Sequence, residues 1–237
     1  MRPGDDRKGE PVSALEQPKD PSGRTTSKQG ARLRRRDAER TRRDILDVAT
    51  AEFAERGYSG GRVDEIAART RTTKRMIYYY FGSKEGLWTA VLEQAYAGIR
   101  AAEQELDVEH LEPRQALRRL AELTFDHHEA HPGFIRLVSV ENIHQAEHLR
   151  RSDAIAHLNM PALDLIGRIL EKGRKTGAFR RDVDAVDVHM MISAFCFFRV
   201  ANRSTFGTLF DRDLLDPHLR ARYRGMLGDM VLAYLAA

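Results

Sequence analysis

Residues 72–87 read TTKRMIYYYFGSKEGL, with the basic pair Lys74 and Arg75 followed by four consecutive aromatics, Tyr78, Tyr79, Tyr80 and Phe81. The aromatic run alone reads as core, whereas the basic pair reads as a surface for something negatively charged. A helical wheel at about 100° per residue separates the two. With Ile77 at 0°, Phe81 falls at about 40°, Tyr80 at about 300° and Thr73 at about 320°, which is the inward side. Arg75 and Tyr79 fall near 160° and 200° on the opposite face, with Tyr78 between them at about 100°. The wheel therefore assigns Phe81 to the core and Tyr80 to the boundary, and turns Tyr78 and Tyr79 outward beside Arg75. Gly82 ends this helix, and Ser83 caps a long one through Leu87, Val91 and Ile99.

Upstream, Ile45, Ala49 and Phe53 recur at i, i+4 and i+8 with charges on the other face, which predicts a helix stopping at Gly57. "SGGR" at 59–62 follows as a flexible link, then a short helix over "VDEIAART" with Val63, Ile66 and Ala67 inward. Two short helices joined by a tight turn behind a supporting helix form the layout of a helix-turn-helix reader. The second helix of such a unit lies in the major groove of DNA. Exposed tyrosines beside Lys and Arg suit that partner, through hydroxyl contacts to phosphate and ring contacts to thymine methyls. Arg75 can pair with a guanine edge, a contact worth about 1–3 kcal/mol of discrimination. Lys84 lies in the first turn of the next helix, where free N–H groups favour an anion. A short amphipathic helix with solvated charges satisfies the same wheel.

Charge distribution points the same way. The chain of 237 residues has a formal charge of +4, and residues 1–88 hold 20 Lys/Arg against 14 Asp/Glu while the remainder holds 19 against 21. A basic front with a slightly acidic body is the asymmetry expected of a nucleic-acid-binding module with a regulatory body; a basic tail and chance give the same count. Residues 1–36 are rich in Pro, Gly, Ser and charge and are expected to be a disordered basic arm ending in Arg32, Arg34, Arg35 and Arg36. Such an arm either reaches along DNA or serves solubility. The single cysteine, Cys196, excludes an internal disulfide framework and reads as a small buried thiol. The longest uncharged apolar stretch, Met190 to Phe198, is far short of the ~20 residues that span a bilayer. The N-terminus has no apolar signal segment. A soluble, cytoplasmic protein without membrane partners is expected.

Beyond a break at 107–113, helical periodicity resumes over 116–125, is broken at His131-Pro132-Gly133, and returns at about 134–146, 155–175, 184–201 and 216–236. Strand-like alternation is absent from the sequence. The expected fold is all-α, about nine helices, with a helix-turn-helix domain at 37–82 and a helical regulatory domain at 83–237.

The span from Thr41 to Trp88 resembles the DNA-binding domain of TetR-family transcriptional regulators. "RRDILDVATAEFAERGY", "VDEIAART" and "TTKRMIYYYFGSKEGL" match its three helices and the start of the fourth. The family pattern Tyr-x-Tyr-Phe followed by Ser-Lys-Glu-x-Leu is met by Tyr78, Tyr80, Phe81, Ser83, Lys84, Glu85 and Leu87. The resemblance implies a homodimeric bacterial regulator, usually a repressor. It reads a palindromic operator, pairs through its last two helices and is released by a small-molecule effector bound in the helical body. Carried over to this chain, Thr73, Lys74, Arg75, Tyr78 and Tyr79 form the groove-facing set, Tyr80 and Lys84 correspond to phosphate-contacting positions of some members, and Ile77 and Phe81 are buried. Arg42, Arg62 and Arg71 complete the candidate DNA-binding residues. Two positions depart from the pattern. Arg71 stands where the family often has Gly, so either the turn avoids a positive φ or Arg71 bears strain. Gly61 and Arg62 replace a capping Thr, leaving Arg62 to supply the phosphate contact.

The effector site is harder to read. Glu141, Asn142 and His144 interrupt an apolar helix. Phe195, Phe198 and Asn202 share a face at i, i+3 and i+7, although core packing explains the two Phe equally. His127 and His131 lie one turn apart in "DHHEAHPG", but no third metal ligand has suitable spacing. His127, Glu141, Asn142, His144, Phe195, Phe198 and Asn202 are the candidate effector-binding residues. No catalytic residue, metal or cofactor is expected. Two other classes remain: an architectural DNA binder without ligand control, and an all-α enzyme using the region of His127 and His131.

Overall fold

The computed structural model describes residues 23–108, 110–180 and 183–236. They form α1 (Gly23–Gly60), α2 (Val63–Arg69), α3 (Lys74–Phe81), α4 (Lys84–Gln104), α5 (Pro113–Ala130), α6 (Pro132–Ile143), a 3₁₀ turn (Leu149–Arg151), α7 (Asp153–Lys175), α8 (Ala185–Ala201), α9 (Arg203–Phe210) and α10 (Pro217–Leu235). No strand occurs among the described residues. The all-α expectation holds, with ten α-helices in place of about nine. The additional one is α9, RSTFGTLF, whose Ser, Thr and Gly lower helix propensity and which buries no residue. No apolar stripe announces it in the sequence.

The chain divides into two units, residues 1–41 and 42–237. In the first, the expected disordered arm is corrected: residues 23–36 are helical. Absence of an apolar stripe excludes a packed helix and leaves an exposed one open, because Arg, Lys, Gln and Ala all favour helix. One pair a turn apart links its end to the next turn, Arg35 with Glu39 at 3.3 Å. Residues 1–22 of the expected arm lie outside the described residues.

In the second unit, Ile45, Ala49 and Phe53 of α1 are fully buried against Ile66, Ile77, Leu87, Trp88 and Val91. Each such large side chain contributes about 1.5–3 kcal/mol on leaving water. Gly57, at φ 70° and ψ 178°, interrupts α1 where the sequence predicts its stop, and helix resumes as far as Gly60. The following link is packed against α1. Gly61 is buried, its N–H donates to the Gly57 carbonyl at 3.0 Å, and a Cβ there would meet the Phe53 ring at 2.4 Å.

A second core joins α5, α7, α8 and α10 through Leu117, Phe125, Ile166, Leu170, Ile192 and Leu227. Buried Arg199 lies over the Phe125 ring at 3.8 Å and donates to Glu129 and to the Leu214 carbonyl, each at 3.0 Å. Cys196 is fully buried, and burial pushes its thiol up to about 12, as a packed, unreactive thiol requires. Among the described residues no single helix is long and apolar enough to cross a membrane.

Candidate nucleic-acid interface and effector cavity

The reading head is held together by a buried carboxylate. Glu52 is 2% exposed, and its Oε1 accepts the Arg62 backbone N–H at 3.2 Å. Arg56 and Arg69 approach the same carboxylate at 3.4 and 3.5 Å. Arg62 is the N-cap residue of α2 and offers no side-chain cap; Glu52 instead accepts the N-cap residue's own backbone N–H, the bond that a carboxylate in the first turn makes in a capping box. Asp64 and Glu65 in the first turn add favourable charge. Sequence reasoning missed Glu52 because a Glu on a helix face carries no sign of whether water or two cations surround it.

The turn into α3 settles the question at Arg71. Its φ is 52°, so a non-glycine residue occupies the left-handed region, and its side chain is exposed. Thr73 then caps α3 by accepting the Met76 N–H at 3.2 Å. Ile77 is fully buried and Phe81 half-buried. Arg75 is exposed, and Tyr79 is 78% exposed with its ring edge-on to Tyr80 at 5.4 Å. Among the described residues Arg75 has no hydrogen-bond or ion-pair partner. Tyr78 departs from the wheel: it is half-buried and packs on the core with Tyr80 and Phe81. α3 is covered on two sides, by α2 and α4, so an intermediate wheel position is also enclosed.

The other basic residues are distributed unequally. Lys74 pairs with Asp64 at 3.3 Å and Arg62 with Glu65 at 3.4 Å, both at the surface, where such pairs yield readily to a stronger anion. Arg42 is exposed and lies 5.2 Å over the Phe81 ring. Lys84 is half-buried; its Nζ donates to the Ser59 carbonyl at 3.2 Å and lies 5.2 Å over the Tyr58 ring. That burial lowers its pKa, and the residue braces α1 against α4 as well as facing the head.

A cavity of about 330 Å³ lies among α4 to α8, walled by Tyr96, Ile99, Phe134, Val138, Met190 and Phe197 and furnished with Arg100, His128, Asn142, Asn159, His189 and Ser193. Of the seven effector candidates from the sequence, only Asn142 lines it. Glu141 is corrected: it is 1% exposed, and its carboxylate is filled by four donors. His144 packs edge-on to Tyr58 at 6.1 Å instead. His127 lines a separate depression with Asp126 and Arg224 and stacks on His131 at 4.1 Å. Phe195 and Phe198 lie on an open apolar face with Met226 and Met230. Asn202 ends α8, its carbonyl accepting the Phe206 N–H at 2.8 Å. Because α8 is apolar nearly all round, its period gave no direction; the cavity face is His189, Ser193 and Phe197.

His128 is 5% exposed, and its Nδ1 has no partner among the described residues. Burial, then the charges of His127 and Arg100, bring its pKa down to about 3; His127 is lowered to about 4, first by burial and then by His131 and Arg100. Both are neutral in the folded protein, whereas an unfolded histidine takes a proton near pH 6.5. Stability is therefore complete above about pH 6.5 and is lost as pH falls toward the folded values. For His128 the loss between pH 7.5 and 5 is about 2 kcal/mol. Chemical denaturation across that range should show it, with His128→Gln flattening the dependence by that amount.

A basic helix-turn-helix head on an all-helical body with a partly open cavity defines the class of one-component DNA-binding regulators. Residues 45–91 match the description "Bacterial regulatory proteins, tetR family", and 113–231 match "Tetracyclin repressor-like, C-terminal domain". The HTH-type transcriptional repressor NicS of Pseudomonas putida is 37% identical over 84% of this chain and 94% of its own. The HTH-type transcriptional repressor SCO4008 of Streptomyces coelicolor is 38% identical over 46% of this chain and 53% of its own. The crystal structure of SCO4942 from Streptomyces coelicolor superposes with a TM-score of 0.61 at 28% identity, over 80% of this chain and 97% of that one. The chain belongs to the TetR family of transcriptional regulators.

Proposed function

We propose that this protein is a ligand-responsive transcriptional repressor that binds a palindromic operator as a homodimer and is released by a small molecule. The observation that carries the reading is the outer face of α3. There Arg75 and Tyr79 stand exposed, Arg75 without a partner among the described residues, while Ile77 on the other side is fully buried. A cationic fork and an exposed phenol on the second helix of such a unit suit base edges and phosphate. Thr73, Lys74, Arg71, Arg62 and Arg42 extend that surface, Tyr78 and Tyr80 flank it, and Lys84 contributes from the start of α4. Residues 37–82 serve as the reading domain and 83–237 as the regulatory domain. The cavity beneath α6 supplies the effector site. Phe198, Met226, Met230 and Tyr234, between 37 and 49% exposed on α8 and α10, supply the apolar face that a second copy covers. Such a regulator works in the cytoplasm, and no catalytic role is assigned to it.

Binding to DNA upstream of its own or adjacent genes tests the reading. Affinity for that site should fall steeply with salt as phosphate-bound counterions are released. Arg75→Ala should cost roughly 10- to 100-fold per half-site on the specific sequence and little on random duplex. Equal wild-type affinity for operator and random duplex at physiological salt would overturn specific repression in favour of an architectural binder.

A further inference from the structure

Three facts about the cavity define its ligand. First, among its lining residues the only fixed charge is positive: Arg100 lines it, and no Asp or Glu does. Second, that cation is buried and incompletely used. Arg100 is 6% exposed; its Nη1 stands 2.9 Å from Glu103 Oε2 but off the line of its N–H, and its Nε has no partner among the described residues. A buried guanidinium with spare donors costs free energy unless something accepts from it. His128, also more than nine-tenths buried with Nδ1 unpartnered, lines the same space. Third, the walls beside Arg100 are aromatic: Tyr96, one turn before it on α4, meets Phe134 edge to face at 5.3 Å, and the His128 ring tilts over Phe134 at 5.7 Å.

From this geometry we infer that the effector is a small aromatic carboxylic acid, its carboxylate received by Arg100 and its ring held against Tyr96 and Phe134. The inference rests on the ligand-responsive reading above and names the class of ligand. A carboxylate matches the planar fork of a guanidinium and makes charge-assisted hydrogen bonds with it, where a neutral ligand makes weaker ones. A single lining cation suits a monoanion better than a phosphate dianion, and about 330 Å³ lies at the small end of ligand cavities. Asn159 and Ser193 add neutral hydrogen-bonding groups for ring substituents. The histidines add no competing charge, since burial holds His128 and His189 below the ordinary imidazole range.

The test uses the full chain and paired probes of equal shape: benzoate with benzamide, phenylacetate with phenylacetamide, and 2-naphthoate with 2-naphthamide. Each is titrated calorimetrically up to millimolar concentration. At least one acid should bind tenfold or more tightly than its amide, and Arg100→Gln should remove that preference while leaving amide binding within about threefold. If Arg100→Gln does not fold, the acid-to-amide ratio on the wild type still decides. Amides equal to acids, or no acid binding at millimolar concentration, would overturn the inference. Operator binding measured in parallel separates it from the reading it rests on. Release of operator by an amide as readily as by its acid sinks the carboxylate and keeps ligand control. An acid that binds through Arg100 and leaves operator affinity unchanged keeps the carboxylate site and sinks ligand control.

Discussion

Glu141→Ala should lower the stability of the protein by about 3–9 kcal/mol, a large part of the ~5–15 kcal/mol that a domain possesses. Its carboxylate accepts from Trp88 Nε1 at 3.0 Å, from the backbone N–H of His148 at 2.8 Å and of Leu149 at 3.0 Å, and contacts His148 Nδ1 at 3.0 Å. Burial pushes its pKa up, but the hydrogen bonds from Leu149, Trp88 and His148 outweigh that, and the group remains below the ordinary glutamate value. Truncation leaves at least three buried donors without an acceptor, each costing about 1–3 kcal/mol. Glu141→Gln should fall between, since one amide oxygen still accepts but the charge is gone. Urea denaturation followed by tryptophan fluorescence reads both the stability and the environment of Trp88. An unchanged midpoint for Glu141→Ala would mean that the carboxylate is not the anchor of this corner. The corner also bears on signalling: Tyr58 of α1 packs on Trp88 at 5.5 Å and on His148 at 4.6 Å. The same carboxylate thus ties α6 and the turn after it to the helices carrying the reading head.

Glu141 also shows where sequence reading stops. A polar residue in an apolar helix is what a ligand contact and an internal anchor both look like, and only the partners tell them apart. The reading helix was largely legible because α3 is short and strongly two-faced: Ile77 and Tyr79 fall on the sides the wheel gives them. Tyr78 was misplaced because α2 and α4 enclose more of the helix than a one-sided wheel allows. In α8 the apolar composition hides direction: Phe195 packs against the core as its alternative reading allows, Phe198 is exposed, and His189, Ser193 and Phe197 line the cavity. Arg100 gave no signal, since a lone Arg in a long helix ordinarily faces water. α9 lacks an apolar stripe and a side-chain N-cap bond, and the helix before residue 37 rests on propensity, which composition alone does not separate from disorder.

Gly86→Ala should leave the protein folded and reduce operator affinity by about 30-fold to four orders of magnitude. In the pattern Ser-Lys-Glu-x-Leu that carries the family resemblance, Gly86 is the unspecified position, and in an exposed helix Ala would be favoured over Gly by about 1 kcal/mol. Here a Cβ at Gly86 would lie 2.0 Å from the carbonyl oxygen of Phe81, the last residue of α3. A backbone atom cannot turn aside as a side chain does, so α3 and the first turn of α4 must part. Overpacking of this kind costs about 1–3 kcal/mol, and displacement of the reading helix relieves it. Binding DNA returns α3 to its original seat, so each head incurs the strain again on binding. Two heads of the proposed dimer then lose about 2–6 kcal/mol together, which is the stated range. Circular dichroism and thermal unfolding should change little, while an operator titration should show the loss, with Gly86→Ser behaving like Gly86→Ala. Wild-type operator affinity in Gly86→Ala would mean that α4 absorbs the methyl without moving α3. The close approach of Gly86 to Phe81 would then have no part in placing Arg75 and Tyr79.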